Sequence, residues 1–267
     1  MGIPVTFADW IVYIINNSGM AMLRGARNTL VISFVGTALG CLIGFIVGII
    51  NTIPMEKNAP FLKKAVLCVI RFMLGVYVEV FRGTPMMAQA FFLYFGSALV
   101  FNINMSMWFA AFFIVSINTG AYMSETVRGG ILSIDPGQTE GAKAIGMTHY
   151  QTMTSVILPQ ALRNVMPQIG NNLIINIKDT CVLAAIGVVE LMYASRGAAG
   201  ANYRYFETFF VTMVMYLAMT LFFSWILRMM EKKMDGDFTY DLATHDTLAH
   251  TSGMYTYVDK KDKRGKN

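Results

Sequence analysis

Long apolar blocks alternate with short polar segments along this chain. No charged residue occurs at residues 28–55, 83–124 or 208–227. A helix needs about 20 apolar residues to cross a bilayer, so each block can supply one or two spans. A soluble core of this size would instead show amphipathic stripes with charged faces. The pattern therefore predicts an all-α membrane protein.

The blocks predict about five transmembrane helices. Four spans follow directly from the apolar runs, at about residues 28–53, 107–128, 163–190 and 205–228. Residues 61–101 supply one further crossing, and a straight helix of that length would measure about 60 Å, twice the hydrocarbon thickness. We therefore expect a kink or an interfacial portion there, with Thr84 as N-cap and Pro85 as the first residue of a new helix.

The first span carries a ridge of small residues. Its glycines recur at every fourth position, at Gly36, Gly40, Gly44 and Gly48. This spacing places them on one narrow face, where the backbone of a neighbouring helix can approach closely. The ridge therefore predicts helix packing along this face.

Basic residues near the ends of the spans predict the orientation. Lys63 and Lys64 follow the first span, and Arg228 and Lys232 follow the last, so we expect these ends in the cytoplasm. The expected division is an external or interfacial segment with a short helix at 1–27, a membrane domain at 28–233 with a cytoplasmic insertion at 133–160, and a polar, disordered cytoplasmic tail at 234–267.

Composition excludes several classes of function. The chain is 55% hydrophobic and 14% charged, with a mean hydropathy of +0.50. Its net charge of +5 resides mostly at span ends and in the tail, so nucleic acid is not an expected partner. The three cysteines lie in apolar segments and the three histidines lack clustered ligands, so we expect neither a metal site nor a cofactor bound by this chain.

The insertion carries strong local helix signals. Asp135 and Pro136 suit the N-cap and first position of a helix, and Gly146 suits its left-handed end. Thr148 and Gln151 have the spacing of a second N-terminal capping box. Two short helices joined at a glycine would form a compact knob. Local physics leaves two interpretations open, a docking surface for a soluble partner or an ordinary interfacial connector.

The insertion resembles the signature of binding-protein-dependent ABC importer permeases. That signature is Glu-Ala-Ala, a glycine at the sixth position after the glutamate, and then Ile-x-Leu-Pro. The matching residues here are Glu140, Ala142, Gly146, Leu158 and Pro159. Gly141 and Val156 depart from it by small changes. Further segments, such as residues 78–85 and 118–122, resemble the polar amino acid subfamily of these permeases, the histidine, glutamine and arginine type.

The resemblance implies a type I ABC importer transmembrane fold over residues 28–233. It further implies that the insertion couples to cytoplasmic ATPase subunits, which bind ATP and Mg, and that transport proceeds by alternating access. The implied partners are a second permease subunit, identical or different, an extracellular substrate-binding protein and an amino acid. The implied location is the bacterial cytoplasmic membrane. The chain contains no phosphate-binding G-x-x-x-x-G-K-[ST] motif, so we expect a transporter subunit rather than an enzyme.

Ionisable residues within the expected spans are candidates for a substrate pathway. They are Glu79, Arg82, Glu125, Lys178 and Asp179. Glu79 could pair with Arg82, and Glu125 with Arg128, because three-residue spacing brings side chains together on a helix. Lys178 and Asp179 are adjacent and cannot face each other. They could form salt bridges to other helices or line the path of a zwitterionic amino acid, and both interpretations stay open.

Two other functions compete with transport. A membrane-embedded enzyme could use Glu79, Glu125 or Asp179 as acid and base groups, although no nucleophile arrangement accompanies them. A membrane adaptor could use the insertion only to recruit a soluble partner. A passive anchor has no need of charges inside its spans, which favours transport.

Overall fold

The computed structural model describes residues 6–54 and 60–235, in which every regular element is a helix and none is a strand. This confirms the predicted all-α class. In chain order the elements are α1 (Phe7–Thr52), α2 (Phe61–Gly83), α3 (Met86–Phe101), α4 (Met107–Leu132), α5 (Pro136–Ala144), α6 (His149–Thr152), a π-helical turn (Met153–Ile157), α7 (Leu158–Asp179), a 3-10 segment (Thr180–Ile186), α8 (Leu191–Asn202) and α9 (Tyr205–Asp235). The predicted disordered tail lies, beyond residue 235, outside the described residues.

Helix α1 is one continuous element of 46 residues, about 69 Å long. Thr6 and Asp9 form the capping box at its start. We expected a short separate helix within 1–27, but the helix runs through residue 27 without interruption. Arg24 and Arg27, just before the uncharged run, are exposed, while Gly25 packs against the backbone of residues 190 and 191.

The glycine ridge of α1 packs against α4, as predicted. A Cβ added to Gly40 would lie 2.5 Å from Thr119 Cβ, so no side chain fits between the two helices. The contacts advance together along both chains, pairing Gly36 with Val115, Gly40 with Thr119, Gly44 with Met123 and Gly48 with Val127. Helices α1 and α4 therefore run parallel, and the chain between them must return to the side from which it started.

Length and composition identify three membrane-spanning helices in the described residues, namely α1, α4 and α9, and up to four if α7 and α8 form one bent span. Helix α2 carries five charged residues and α3 has only 16 residues, so neither qualifies alone. Ring contacts run in order from Phe7–Phe210 to Phe34–Phe223, which makes α9 parallel to α1. Because α1 and α4 run in the same direction, the chain between them must cross back. Helices α2 and α3 form this crossing, which we expected from residues 61–101.

The expected break between α2 and α3 is present, with one correction. Pro85, not Thr84, is the N-cap of α3, and Thr84 ends α2 by donating its hydroxyl to Val80 O at 2.7 Å. A residue before proline is held in the extended region, and Thr84 has φ −119° and ψ 148°. Helix α3 therefore begins one residue later than the capping pattern suggested.

The expected fourth span, residues 163–190, is not one regular helix. Helix α7 ends at Asp179 and continues as the 3-10 segment, and Gly187 then takes a left-handed φ of +89°. Helix α8 leaves at an angle of 56°. Glycine adopts this conformation without the steric cost that a Cβ brings, so Gly187 permits the bend.

Candidate functional site

The knob comprises α5, α6 and the residues between them, 145–148. Asp135 Oδ1 accepts from Gly137 N at 2.6 Å and caps α5. Gly146 has a φ of +83° and ends the first helix as predicted. Thr148 and Gln151 form the predicted capping box, with bonds of 2.9 and 3.3 Å. The local signals in the sequence therefore specified the start of each helix and the turn between them.

The second helix of the knob is not a separate short element. Helix α6 has four residues and passes through the π-helical turn into α7. We expected Pro159 to disrupt or kink this helix. It lies instead in the first turn of α7, where its missing N–H leaves Ser155 O, in the π turn, without the usual donor. The π-helical turn accommodates the missing hydrogen bond, and the helix continues from the knob into the bundle.

The family-like residues of the knob divide into exposed and buried positions. Glu140, Gly146 and Pro159 are exposed. Leu158 is half-buried. Ala142 is only 6% exposed, because α5 packs on α6 and on the π turn. We expected the small side chain of Ala142 to leave room on the surface for a partner protein. In the structure it instead lets α5 pack closely on the knob's own second helix.

Two large exposed side chains on the knob were missed in the sequence. Ile145 is 79% exposed and Tyr150 is 76% exposed. Both flank the turn at Gly146, on a segment that is otherwise polar. Exposed apolar side chains clustered on a polar surface are typical of protein interaction sites. Ile145 directly precedes the helix-ending Gly146, and Tyr150 lies in the first turn after the N-cap Thr148, so the local signals already placed both beside the turn of the knob.

Side-chain bonds attach the knob to the bundle. Gln160 Nε2 donates to Gln138 Oε1 at 3.4 Å, which joins the start of α7 to α5. Asn164 Nδ2 donates to Ser133 Oγ at 3.2 Å, which joins α7 to the end of α4. The first bond ties the knob to α7, and the second ties α7 to the end of α4.

A buried polar group joins three helices near the centre of α4. Asn176 Nδ2 donates to Thr37 Oγ1 at 2.8 Å and to Thr119 Oγ1 at 2.9 Å. Thr119 is one of the two central residues of α4, which has 26 residues and is about 39 Å long. If α4 crosses the bilayer, this level corresponds to its middle.

Lys178 and Asp179 lie within one turn of Asn176, at the end of α7. Both side chains are exposed. Neither forms a salt bridge with another residue in the described ranges. Interhelical ion pairs, one of the two interpretations of these charges, are therefore not observed within this part of the chain.

The charges on α2 and α4 differ in their pairing. Arg128 donates to Glu125 in a salt bridge of 2.7 Å, as the three-residue spacing suggested. Glu79 and Arg82 have the same spacing, yet within the described residues they form no salt bridge. The Arg82 guanidinium lies 5.8 Å from the centre of the Tyr122 ring on α4. The structure thus places Arg82 beside Tyr122 of α4, close to the level of Asn176. Glu79 is not paired with Arg82.

Two amides hold the break between α2 and α3. Gln89 Nε2 donates to Phe81 O, Thr84 O and Thr84 Oγ1, each at 2.9 Å. Asn118 Nδ2, from α4, donates to Gln89 Oε1 at 2.9 Å and to Phe81 O at 3.2 Å. These bonds satisfy carbonyls freed where α2 ends, so the break has a fixed geometry inside the bundle.

Glu190, an ionisable residue at the end of the expected fourth span, forms a buried centre whose partners the sequence did not indicate. Its side chain is 0% exposed and caps α8 by accepting from Met192 N at 2.9 Å and Tyr193 N at 2.7 Å. Two hydroxyls also donate to it, Tyr216 of α9 at 2.9 Å and Thr29 of α1 at 3.3 Å. Glu190 therefore fixes the start of α8 to both α1 and α9 at the 56° bend.

No group of three or more His, Cys, Asp or Glu side chains in the described part of the chain could hold a metal ion. Arg71, in the middle of α2, donates to the backbone carbonyls of Ile50 and Ile53 at the end of α1. It thus supplies donors to carbonyls that the helix end leaves free. Arg71 has a structural role in the bundle.

Comparison with known proteins places this arrangement in a family. Residues 68–236 match the family described as "Binding-protein-dependent transport system inner membrane component". The chain belongs to this family. As a transporter permease subunit it is a multi-pass membrane protein and not an enzyme.

Individual relatives resemble the permease over most of its length. It is 37% identical over 214 residues to the glutamine transport system permease protein GlnP of Escherichia coli (strain K12), a match covering 80% of this chain and 92% of that protein. It is 32% identical over 213 residues to a putative glutamine transport system permease protein GlnP of Rickettsia typhi (strain ATCC VR-144 / Wilmington), with the same coverage.

Solved structures share the fold. A structure described as an amino acid ABC transporter with histidines matches the permease with a TM-score of 0.73 and 31% identity, over 86% of this chain and all of that chain. An inward-facing structure of the MetNI methionine ABC transporter matches with a TM-score of 0.65 and 19% identity, over 80% of this chain and 96% of that chain. The second likeness concerns the fold alone. Both support the type I importer architecture expected from the sequence.

Proposed function

We propose that this permease imports a polar amino acid across the bacterial cytoplasmic membrane, driven by ATP hydrolysis on separate subunits. The relatives named for glutamine transport, and the solved amino acid transporter, support the substrate class. The permease works with a second permease subunit, cytoplasmic ABC ATPase subunits and an extracellular substrate-binding protein. Its knob and C-terminus face the cytoplasm.

The observation that carries this proposal is the exposed, doubly capped knob with its direct attachment to α7. The ATPase subunits, which bind ATP and Mg, grip the knob around Glu140 and Gly146, with Ile145 and Tyr150 as the apolar contacts. Large apolar side chains in the centre of an interface contribute most of its binding energy. Leu158 and Pro159 connect the knob to α7, and Ala142 packs its two helices together.

Movement of the knob reaches the middle of the bundle through continuous helix. The helix from His149 to Ile186 contains Asn176, which is bonded to α1 and α4. Closure of the ATPase subunits displaces the knob, shifts α7 against these partners and exposes the middle of the bundle alternately to each side. Alternating access of this kind requires two arrangements of packed helices rather than continuous deformation.

Charged groups near the level of Asn176 line the substrate pathway in this proposal. Lys178 and Asp179 are exposed there and form no ion pair with residues 6–54 or 60–235, and Glu79, Arg82 and Glu125 lie along α2 and α4. A zwitterionic amino acid offers one group of each sign, so residues of both signs can accompany it. We expect Asp179→Asn and Lys178→Met variants to assemble and to transport slowly. Normal transport in both would remove these residues from the pathway.

The test of the function is ATPase activity in proteoliposomes. The permease is reconstituted with its ATPase subunits, and the binding protein is added with each common amino acid in turn. We expect one class of amino acid to stimulate hydrolysis and to accumulate in the lumen. Glu140→Lys is expected to uncouple hydrolysis from uptake, whereas Arg163→Glu, an exposed change just outside the knob, is expected to leave coupling intact.

The competing functions predict different results. An adaptor would bind the ATPase subunits without any accumulation of amino acid. A membrane-embedded enzyme would not retain ATPase subunits and would be insensitive to Glu140→Lys. Either pattern would contradict the importer proposal.

A further inference from the structure

A cavity of about 260 Å³ lies between three helices, α1, α7 and α9. Its apolar walls include Phe34 and Ala38 of α1, Gly170 of α7, and Leu227 and Met230 of α9. Phe34 is 43% exposed and Met230 is 46% exposed, so the cavity opens on the surface of the chain. Packed protein interiors contain few gaps larger than one water molecule, which makes this gap a candidate site for a ligand.

The cavity extends from the end of α9 towards the middle of the bundle. The α7 residues that line it run from Met166 to Leu173, which are about 10 Å apart along the helix. Its inner end contains Thr37, which accepts a bond from Asn176. Its outer end contains Glu231, in the last turns of α9. In the proposed orientation this outer end faces the cytoplasmic surface of the membrane, so the cavity follows the direction of a lipid acyl chain.

Charged side chains of both signs surround the outer end of the cavity. Glu231 is half-buried in its wall, and Arg228 and Lys232 are exposed beside it on α9. Arg228 and Glu231 have a spacing that can pair side chains on a helix. In the part of the chain that the structure describes, however, none of these three residues forms a salt bridge. One carboxylate and two cations are thus available to a ligand at the mouth of the cavity.

The apolar walls and the charges together select one kind of ligand. An apolar cavity stays free of water and accepts hydrocarbon, which an acyl chain supplies. A phosphate group matches the two cations, Arg228 and Lys232. The carboxylate of Glu231 requires a cationic donor, and a primary ammonium group has three N–H bonds to offer. A choline headgroup has no N–H bond, and a glycerol headgroup has no positive charge.

We propose that phosphatidylethanolamine binds at this site, with one acyl chain in the cavity, its phosphate at Arg228 and Lys232, and its ammonium group at Glu231. The site involves neither the knob nor the proposed pathway residues, and only its assignment to the cytoplasmic leaflet rests on the proposed function. Just 6% of the residues in the most apolar stretch of α9 are buried. The acyl chain therefore supplies packing between α9 and the helices α1 and α7, and stabilises the position of α9.

The test measures lipid binding to the full-length permease, purified with the subunits that accompany it and stripped of lipid. The dioleoyl forms of phosphatidylethanolamine, phosphatidylcholine and phosphatidylglycerol are added separately, and bound lipid is counted by native mass spectrometry. We expect phosphatidylethanolamine to bind and to raise the thermal midpoint by about 2–4 °C. The other two lipids should bind about fivefold more weakly, which is the effect of losing one partly exposed ion pair.

Three variants test the parts of the site separately. Glu231→Gln should abolish the preference for phosphatidylethanolamine over phosphatidylcholine. Arg228→Gln should weaken both lipids equally, whereas Arg196→Gln, at an exposed arginine of α8, should weaken neither. Ala38→Leu fills the cavity and should prevent lipid binding. Ala21→Leu is its matched control, because Ala21 is an exposed alanine of the same helix that does not line the cavity.

A phosphatidylethanolamine with a diazirine in its acyl chain locates the bound lipid. We expect light-induced crosslinks to residues 34–41, 166–173 and 227–230, and crosslinks confined to other segments would overturn the proposal. Equal binding of the three lipids by the unmodified permease, or an unchanged preference in Glu231→Gln, would also overturn it. So would a cavity that crosslinks to another subunit and retains no lipid. If Ala38→Leu does not fold, Glu231→Gln still decides, because that side chain is only half-buried. None of these measurements depends on amino acid uptake, so this proposal and the proposed function can fail independently.

Discussion

Replacing Gly44 by alanine tests the close contact between α1 and α4. A Cβ at this position would lie 2.4 Å from Met123 Cβ and 2.9 Å from both the Met123 carbonyl carbon and Ser124 N. Two of these atoms belong to the backbone, so no change of rotamer relieves the clash. The two helices would have to separate by a large fraction of an ångström along the whole ridge.

The magnitude follows from two opposing effects. Alanine is favoured over glycine in a helix interior by about 1 kcal/mol. Overpacking of a tight contact costs about 1–3 kcal/mol, and separation of the helices also stretches the bonds from Asn176 to Thr37 and Thr119. At Gly44 we expect the cost to exceed the gain, for a net loss of about 1–2 kcal/mol. At Gly75 no atom lies within 4 Å of an added Cβ, so only the gain remains.

The assay is thermal unfolding of the purified variants in detergent, followed as the fraction that remains monodisperse after heating. A loss of 1 kcal/mol lowers the midpoint by about 2–4 °C in a protein of this size. We expect Gly44→Ala to fall by about 2–8 °C, and Gly75→Ala to equal or exceed the unmodified protein. A Gly44→Ala midpoint at or above that of Gly75→Ala would refute the argument that the ridge is fully packed.

Three further substitutions follow from the buried and exposed groups. Glu190→Gln should lower the thermal midpoint, because the glutamine amide has one acceptor oxygen and must leave the N–H of Met192 or Tyr193 unpaired; an unchanged midpoint would show that the cap is dispensable. Asn176→Leu should lower it by about 4–8 °C through loss of two hydrogen bonds at about 1 kcal/mol each, and a rise would contradict this. Ile145→Asp should abolish co-purification of the ATPase subunits without moving the midpoint, since the side chain is 79% exposed; retained co-purification would remove Ile145 from the interface.

Local signals in the sequence were sufficient for the knob. Asp135, Thr148 and Gln151 act on backbone groups two or three residues away, and Gly146 acts through its own dihedral angles. Such features depend little on the rest of the fold, so their pattern predicted them correctly. The glycine ridge belongs to the same class, because its four-residue period already defines one helix face.

Features that depend on distant partners could not be predicted. Glu190 receives the hydroxyl of Thr29, 161 residues earlier in the chain, and no local pattern indicates that bond. The contact of Gly25 with the backbone of residues 190 and 191 lies equally far along the chain, and α1 continues through it. We expected Ala142 on a partner surface. Its burial results from the packing of α5 on the π-helical turn, which a local pattern does not indicate.

The bend between the 3-10 segment and α8 has a mechanical consequence. From His149 to Gly187 the helix measures about 60 Å, while Asp179 stands only about 15 Å from the bend. If Glu190 holds the bend stationary against α1 and α9, the helix from His149 to Ile186 acts as a lever. Its end at the knob then moves about four times as far as Asp179. A displacement of about 4 Å at the knob then becomes about 1 Å at Asp179, with a correspondingly greater force.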